Sequence, residues 1–131
     1  KRIEYHDGTE KEIRYPEGTQ VLKPETSEEI SRMLATVVDE ALRGGSVALP
    51  HHSIAAKTGT AQIPDPINGG YYDDRYLHSF FGYFPAYDPE IIVFMYTVEP
   101  KGVQYASETL TEQFMDIARF LINYYSIPPD R

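Results

Sequence analysis

Four consecutive residues, Lys57-Thr58-Gly59-Thr60, close a run of small and apolar ones, Ile54-Ala55-Ala56. They are the densest chemistry in the sequence. If the run is a strand, side chains alternate between its faces, so Thr58 and Thr60 point to one side. Two hydroxyls there can grip a carboxylate, and Lys57 adds a positive charge beside them. Gly59 has no side chain, which lets a ligand or a second backbone approach closely. An edge strand also offers unpaired N–H groups, and an N–H aimed at a developing oxyanion favours acyl transfer. The stretch therefore has the parts of half an acyl-transfer site: anion binding and an oxyanion donor, without a nucleophile.

Other chemistries fit less well. A phosphate-cradling loop needs glycines five positions apart, directly ahead of Lys-Ser/Thr. Those positions hold His51 and Ala56. His51, His52 and His78, with Asp73 and Asp74, supply metal-ligand types, but the adjacent pair His51-His52 lacks the i,i+4 spacing that brings two imidazoles together on a helix. No metal and no cofactor is expected. Tyr71, Tyr72 and Tyr76, around Asp73-Asp74-Arg75, read as a solvated loop able to touch a ligand. A bare Lys-Thr-Gly also recurs by chance as a solvated strand end, so the surrounding elements decide its meaning.

Those elements read as α+β. Residues 1–19 alternate Ile3, Tyr5, Ile13 and Tyr15 with charges around Asp7-Gly8, the pattern of a polar hairpin. Thr26 and Glu29 have capping-box spacing. Ile30, Met33, Leu34, Val37, Val38, Ala41 and Leu42 then follow at helical spacing, and Gly44-Gly45 ends the helix. Ser53 to Thr60 reads as a strand, and the small pair Ala55-Ala56 suits a central strand closely covered by a helix. Pro64 to Leu77 reads as a loop, with two prolines and Asn68-Gly69-Gly70. "HSFFGYFPA" is a strand with Gly82 at a close approach, and Phe80, Phe81, Tyr83 and Phe84 form core. After the Tyr87-Asp88-Pro89 turn, "EIIVFMYTVE" predicts a strand buried on both faces and paired antiparallel with its predecessor. A final helix, capped by Ser107 or Thr109, carries Leu110, Phe114, Ile117, Ala118, Leu121 and Tyr125. The expected architecture is an antiparallel sheet of about three strands with a helix before it and another after.

The composition bounds the function. The 131 residues allow one domain with a core, and 11 Tyr and 6 Phe can fill it. A net charge of -8 excludes a phosphate-backbone partner, so no nucleic acid is expected. The absence of cysteine excludes a thiol nucleophile and a Cys-type zinc site. No apolar run reaches the length of a membrane span. The chain starts at Lys1 and not at Met, so an excised piece of something longer is expected.

The order of elements carries a resemblance. "SIAAKTGTAQ" resembles the Lys-Thr/Ser-Gly motif of penicillin-binding proteins. The helix "SEEISRMLATVVDEAL", a Gly-Gly loop, "AKTGTAQ", a long loop, "HSFFGYFPAYDPEIIVFMYTVEPKG" and "ASETLTEQFMDIARFLINYYSIPP" follow in the order of the class B, high-molecular-weight transpeptidases. The resemblance covers about residues 20 to 131. One small departure is Ala56, where Gly is common before the lysine. The resemblance implies the C-terminal portion of the penicillin-binding protein and serine β-lactamase fold, with the whole chain, 1–131, a segment of one transpeptidase domain.

It also implies roles. Lys57 is expected beside the serine of a Ser-x-Asn element, tuning its proton network. Thr58 and Thr60 are expected to receive the carboxylate of a D-Ala-D-Ala stem peptide or of a β-lactam that mimics it. Gly59 is expected to leave room for the substrate strand. The Thr60 backbone N–H is expected in the oxyanion hole, where loss of one donor typically costs about 10²–10³ in rate. The family also needs Ser-x-x-Lys, and no serine of this chain begins one, nor a Ser-x-Asn. Ser53 has Lys57 four residues on, along a strand, where the two cannot cooperate. The nucleophile is therefore expected upstream, in the rest of the same domain, and this chain alone is expected to be inactive. Other cell-wall synthesis proteins are expected as partners, and the location implied is the outer face of the bacterial cell membrane. A second function class is a non-catalytic module that keeps this shape and docks cell-wall peptides or partner proteins; a β-lactamase is the third.

Overall fold

The computed structural model describes residues 2–131. Its first element is an exposed ribbon. Strand β1 (Arg2–Glu4) pairs antiparallel with β2 (Glu10–Glu12), Ile3 lying opposite Lys11. Asp7 makes the turn by accepting from the Thr9 N–H at 2.9 Å and the Thr9 hydroxyl at 2.6 Å, and Gly8 takes φ 81°.

Helix α1 (Pro24–Thr36) begins two residues before the expected Thr26 cap. Lys23 is extended at the N-cap and Pro24 opens the first turn, where its fixed φ suits the helix and its missing N–H is no loss. The helix continues through a π turn, Val37–Ala41, and a 3-10 turn, Leu42–Gly45, where Arg43, Gly44 and Gly45 have positive φ and stop it. The buried stripe is Ser31, Ala35, Val38 and Leu42, offset from the expected one, since Ile30 and Met33 are exposed. The offset has a local cause. Ser31 Oγ meets the Tyr83 hydroxyl at 2.8 Å, and Ala35 is small enough to let the helix approach Ala55 of the sheet.

Three antiparallel strands follow in the order β3 (Ala55–Pro64), β4 (Tyr71–Phe84), β5 (Ile91–Val98). The antiparallel pairing of the last two agrees with the sequence reading. Two expectations fail. Most of the segment expected to be a loop, Pro64 to Leu77, is strand: Leu77 pairs with Ala61, Tyr76 with Gln62 and Tyr71 with Pro64. Only 65–70 turns, around Asp65, whose carboxylate accepts from the Ile67 and Asn68 N–H groups and from the Asn68 side chain. Nor is β5 buried on both faces. Ile91, Val93, Met95 and Thr97 are half-buried, whereas Ile92, Phe94, Tyr96 and Val98 are 55–66% exposed.

The covered face of the sheet takes Ala56 from β3 and Phe80, Gly82 and Phe84 from β4. Against it lies α3 (Thr111–Tyr125), preceded by the short α2 (Ala106–Thr109). Phe80 and Phe114 stack with centroids 4.4 Å apart. Gly82 is the close approach expected: a Cβ there would sit 2.4 Å from Phe114 Cζ and 2.9 Å from Ala56 Cβ. The buried stripe of α3 is Thr111, Phe114, Met115, Ala118 and Ile122; Tyr125, expected inside, is 61% exposed. Neither Ser107 nor Thr109 caps a helix as expected. Tyr105 is the N-cap of α2, its N–H bonded to the Glu108 carboxylate at 3.1 Å, and Leu110 is that of α3. The Thr109 hydroxyl bonds His78 Nδ1 at 2.9 Å and donates to the Ala106 carbonyl at 3.3 Å.

The chain end is tied back to the start of β3. Asp130 accepts from the Ser53 N–H at 2.7 Å and from the Ser53 hydroxyl, and the same hydroxyl accepts from the Ala86 N–H at 2.9 Å. Arg131 holds Asp39 and the Leu49 carbonyl.

Candidate active site

Strand β3, expected as a central strand, is instead an edge of the three-stranded sheet, its small pair Ala55-Ala56 being covered by helices while one side of its backbone faces no strand among the described residues. Lys57-Thr58-Gly59-Thr60 occupy its middle, each half-buried or exposed, after the buried pair Ala55-Ala56. Alternation sorts them by face. Lys57 and Gly59 share the face of Phe81 and Ser79 on β4 and of Phe94 and Tyr96 on β5, their partners in register. Thr58 and Thr60 share the opposite face with Phe80 and His78. The lysine and the two hydroxyls thus flank the free edge from opposite sides.

Each is held differently. Lys57 Nζ donates to the Thr58 carbonyl at 2.9 Å, along its own strand. Thr60 Oγ1 accepts from the Ala106 N–H at 3.0 Å, which ties it to the start of α2. A Cβ at Gly59 would lie 2.5 Å from Ser79 Oγ, so the space over Gly59 on the lysine face belongs to that serine. Two open grooves flank the strand's partners. One, of about 660 Å³, runs between Ser27 and Ser31 of α1, Phe81 and Tyr83 of β4, and Ile92 of β5. The other, of about 790 Å³, lies between Asp73–Tyr76 and residues 99–104.

The remaining candidates are dispersed. Ser53 is buried and its hydroxyl is committed to Asp130 and Ala86. His52 Nε2 meets the Ile127 carbonyl at 3.1 Å, and His78 is wholly buried between Thr109 and Gln104. Arg75 lies over the Tyr72 ring, 4.1 Å from its centroid. Ser79, His78 and Ala106 surround the central residues, yet sequence reasoning passed over them as site residues. The hairpin register was the available signal, because it places residue 78 opposite 60 and 79 opposite 59.

The model of the penicillin-binding protein transpeptidase domain matches residues 1–119. The chain belongs to that family. The penicillin-binding protein PbpB of Mycolicibacterium smegmatis is 34% identical over 130 residues, 93% of this chain and 20% of that protein. The probable peptidoglycan D,D-transpeptidase PenA of Neisseria meningitidis is 31% identical over 106 residues, 76% of this chain and 18% of its own length. This transpeptidase segment thus spans about a fifth of the curated relatives it matches. Among solved structures, penicillin-binding protein 3 of Mycobacterium tuberculosis superposes with a TM-score of 0.76 at 26% identity, over 99% of this chain and 31% of that one. The same protein complexed with ampicillin gives 0.76 at 27%. The α+β fold, with an antiparallel sheet flanked by helices, is therefore that of the penicillin-binding transpeptidase domains.

Proposed function

We propose that this chain is the C-terminal segment of the transpeptidase domain of a class B peptidoglycan D,D-transpeptidase, and that β3 is one wall of its acyl-transfer cleft. The observation that carries the reading is the placement of Lys57-Thr58-Gly59-Thr60 on a free sheet edge, in a chain of this family. A substrate peptide can lie along that edge as an added strand. Thr58 and Thr60 receive its terminal carboxylate, or that of a β-lactam. Lys57 supplies positive field from the other face, beside a Ser-x-Asn serine contributed by the upstream part of the domain. Gly59 keeps the strand slim. The Thr60 N–H, on the same side of the backbone as that of Thr58, points at the developing oxyanion.

In the reaction, a serine outside this chain attacks the D-Ala-D-Ala amide carbonyl and the terminal D-Ala leaves as the free amine; a neighbouring stem amine then takes the acyl group from the ester and the serine hydroxyl is restored. The partners are D-Ala-D-Ala stem peptides, β-lactams, the rest of the domain and other cell-wall synthesis proteins, at the extracytoplasmic face of the membrane. None of the helices among the described residues is long and apolar enough to cross a membrane. The open face of β5, with Phe94 and Tyr96, supports an upstream cover. The test is covalent labelling by a fluorescent penicillin. The full-length protein is expected to label and this chain alone is not. Labelling of the isolated chain would overturn the placement of the nucleophile; a full-length protein that never labels would favour a docking module.

A further inference from the structure

Opposite Thr60, in register across β3 and β4, lies His78, the only wholly buried ionisable side chain among the described residues. A buried imidazole needs both ring nitrogens satisfied. Here Nε2 lies 2.9 Å from the Gln104 carbonyl and Nδ1 lies 2.9 Å from the Thr109 hydroxyl. A carbonyl can only accept, so Nε2 donates to Gln104, while Nδ1 bonds the Thr109 hydroxyl, which also lies 3.3 Å from the Ala106 carbonyl. Both partners belong to one segment, the turn into α2. That segment contains Ala106, whose N–H donates to Thr60 Oγ1 at 3.0 Å. The imidazole therefore clamps residues 104 and 109, on either side of the amide that touches Thr60.

We infer that His78 is a positioning residue for Thr60, acting through the Gln104–Thr109 segment. The inference rests on the reading of Thr60 as a carboxylate-binding residue. The chemistry of the clamp is directional. A threonine hydroxyl has one hydrogen and two lone pairs. When the Ala106 N–H fills a lone pair, the hydroxyl hydrogen stays free to donate, and the rotamer about Cα–Cβ is fixed. A hydroxyl held as a donor bonds a carboxylate more strongly than the neutral oxygens of an ester. The segment that fixes it has little secondary structure of its own: α2 is four residues long, and 99–105 is irregular. Without the two bonds to His78, the Ala106 amide would depend on a four-residue helix that follows an irregular segment. His78 thus sharpens selectivity for a terminal carboxylate, while touching neither substrate nor nucleophile.

The test uses the full-length protein that carries this segment. The second-order rate of acylation is measured with benzylpenicillin and with its carboxylate methyl ester. Thr60→Val, which keeps the backbone N–H, is expected to slow the acid by roughly ten- to a hundredfold, the range for a hydrogen bond to a charged group, and to slow the ester by a markedly smaller factor, so that the acid-to-ester ratio falls. His78→Phe is expected to reproduce that selective loss. The double variant His78→Phe/Thr60→Val is expected to be no slower than Thr60→Val alone, as for residues that act as a unit. His78→Gln, which keeps one donor and one acceptor, is expected to retain most of the acid rate. Ala106→Pro covers the case in which His78→Phe does not fold. Position 106 opens α2 after an extended Tyr105, where proline is tolerated, and the change deletes the N–H itself. It is expected to give the same selective loss. If Thr60→Val is selective while Ala106→Pro and His78→Phe leave the acid-to-ester ratio at its wild-type value, the positioning role is wrong and the site reading stands. An equal loss with both probes likewise means a structural role only. If Thr60→Val leaves the ratio unchanged, the site reading fails and this inference fails with it.

Discussion

A methyl group at Gly82 has nowhere to go. The glycine lies on the covered face of β4, and its Cβ position is 2.4 Å from Phe114 Cζ, 3.0 Å from Phe114 Cε2 and 2.9 Å from Ala56 Cβ. Carbon atoms rest at about 3.5–4.0 Å, so the deficit against Phe114 exceeds 1 Å. Phe114 is fully buried and stacked on Phe80, and neither ring can retreat to solvent. Ala56 directly precedes Lys57, so the strain enters the strand that bears the site. Overpacking of this kind costs about 1–3 kcal/mol. Stiffening of the unfolded chain by alanine returns about 0.4–1 kcal/mol, because Gly82 has no positive φ to lose. The net expectation for Gly82→Ala is about 1–2 kcal/mol of destabilisation, a fall in Tm of about 3–8 °C for a chain of this size. Thermal unfolding followed by circular dichroism measures it. Phe114→Leu has its own cost, about 1–2 kcal/mol, because it leaves a cavity. The double variant is expected to lose at least about 1 kcal/mol less than the sum, since the smaller side chain vacates the space that the methyl needs. A Gly82→Ala variant as stable as the parent, or a double variant that is additive within about 0.5 kcal/mol, would refute the close-packing account.

Ser53→Ala is expected to cost about 1–3 kcal/mol, because it orphans the buried Ala86 N–H and one oxygen of Asp130, and amide exchange at Ala86 is expected to accelerate in step. The Asp65 carboxyl is held below the usual carboxylate range, chiefly by the Asn68 side chain and then by the Asn68 and Ile67 N–H groups. Since the folded value is the depressed one, this turn contributes stability above about pH 4, lost as the pH falls through the folded value. A carboxyl titration by NMR is expected to place the Asp65 midpoint below about 4, and a midpoint at or above it would contradict the turn geometry. Phe94→Lys, on the open face of β5, is expected to reduce self-association of the isolated chain in analytical ultracentrifugation without lowering its Tm. A well-folded monomer of the unmodified chain would show that this face needs no cover.

Several features were legible in the sequence because local chemistry and the fold agree on them. The period-2 reading of Lys57 to Thr60 put the two threonines on one face, as the register does. The turn residues between Phe84 and Ile91 gave the hairpin of β4 and β5, and Gly82 gave its close approach. What failed did so because burial is settled by partners. Tyr71 to Tyr76 forms strand with residues exposed or half-buried, so no alternation of polar and apolar types marks it. Ile91 to Val98 is apolar at nearly every position, and composition cannot tell a covered face from an open one. The stripe of α1 is centred on Ser31 and Ala35, two residues that a hydrophobicity pattern passes over. One is buried for a hydrogen bond to Tyr83 and the other for its small size. His78 reads in the sequence as the first residue of a strand, and only the register shows that it lies opposite Thr60.

The two faces of β3 are finished to different degrees, and that asymmetry bears on how the site is divided. On the threonine face, Thr60 is fixed within this chain by Ala106, and Ala106 by the turn that His78 clamps. On the lysine face, Lys57 reaches only its neighbour's carbonyl among the described residues, and Phe94 and Tyr96 stand in the open. An edge strand that carried all its chemistry on one face would depend on a single covering element for every contact. On the proposed reading, the half that binds the carboxylate is built by the elements that follow β3 in sequence, α2 and α3, and the half that handles charge and protons is left to whatever covers β5 and the lysine face. Binding and proton transfer can therefore be tuned by substitutions in different parts of the protein, with the free backbone edge of β3 as the line where the two halves meet.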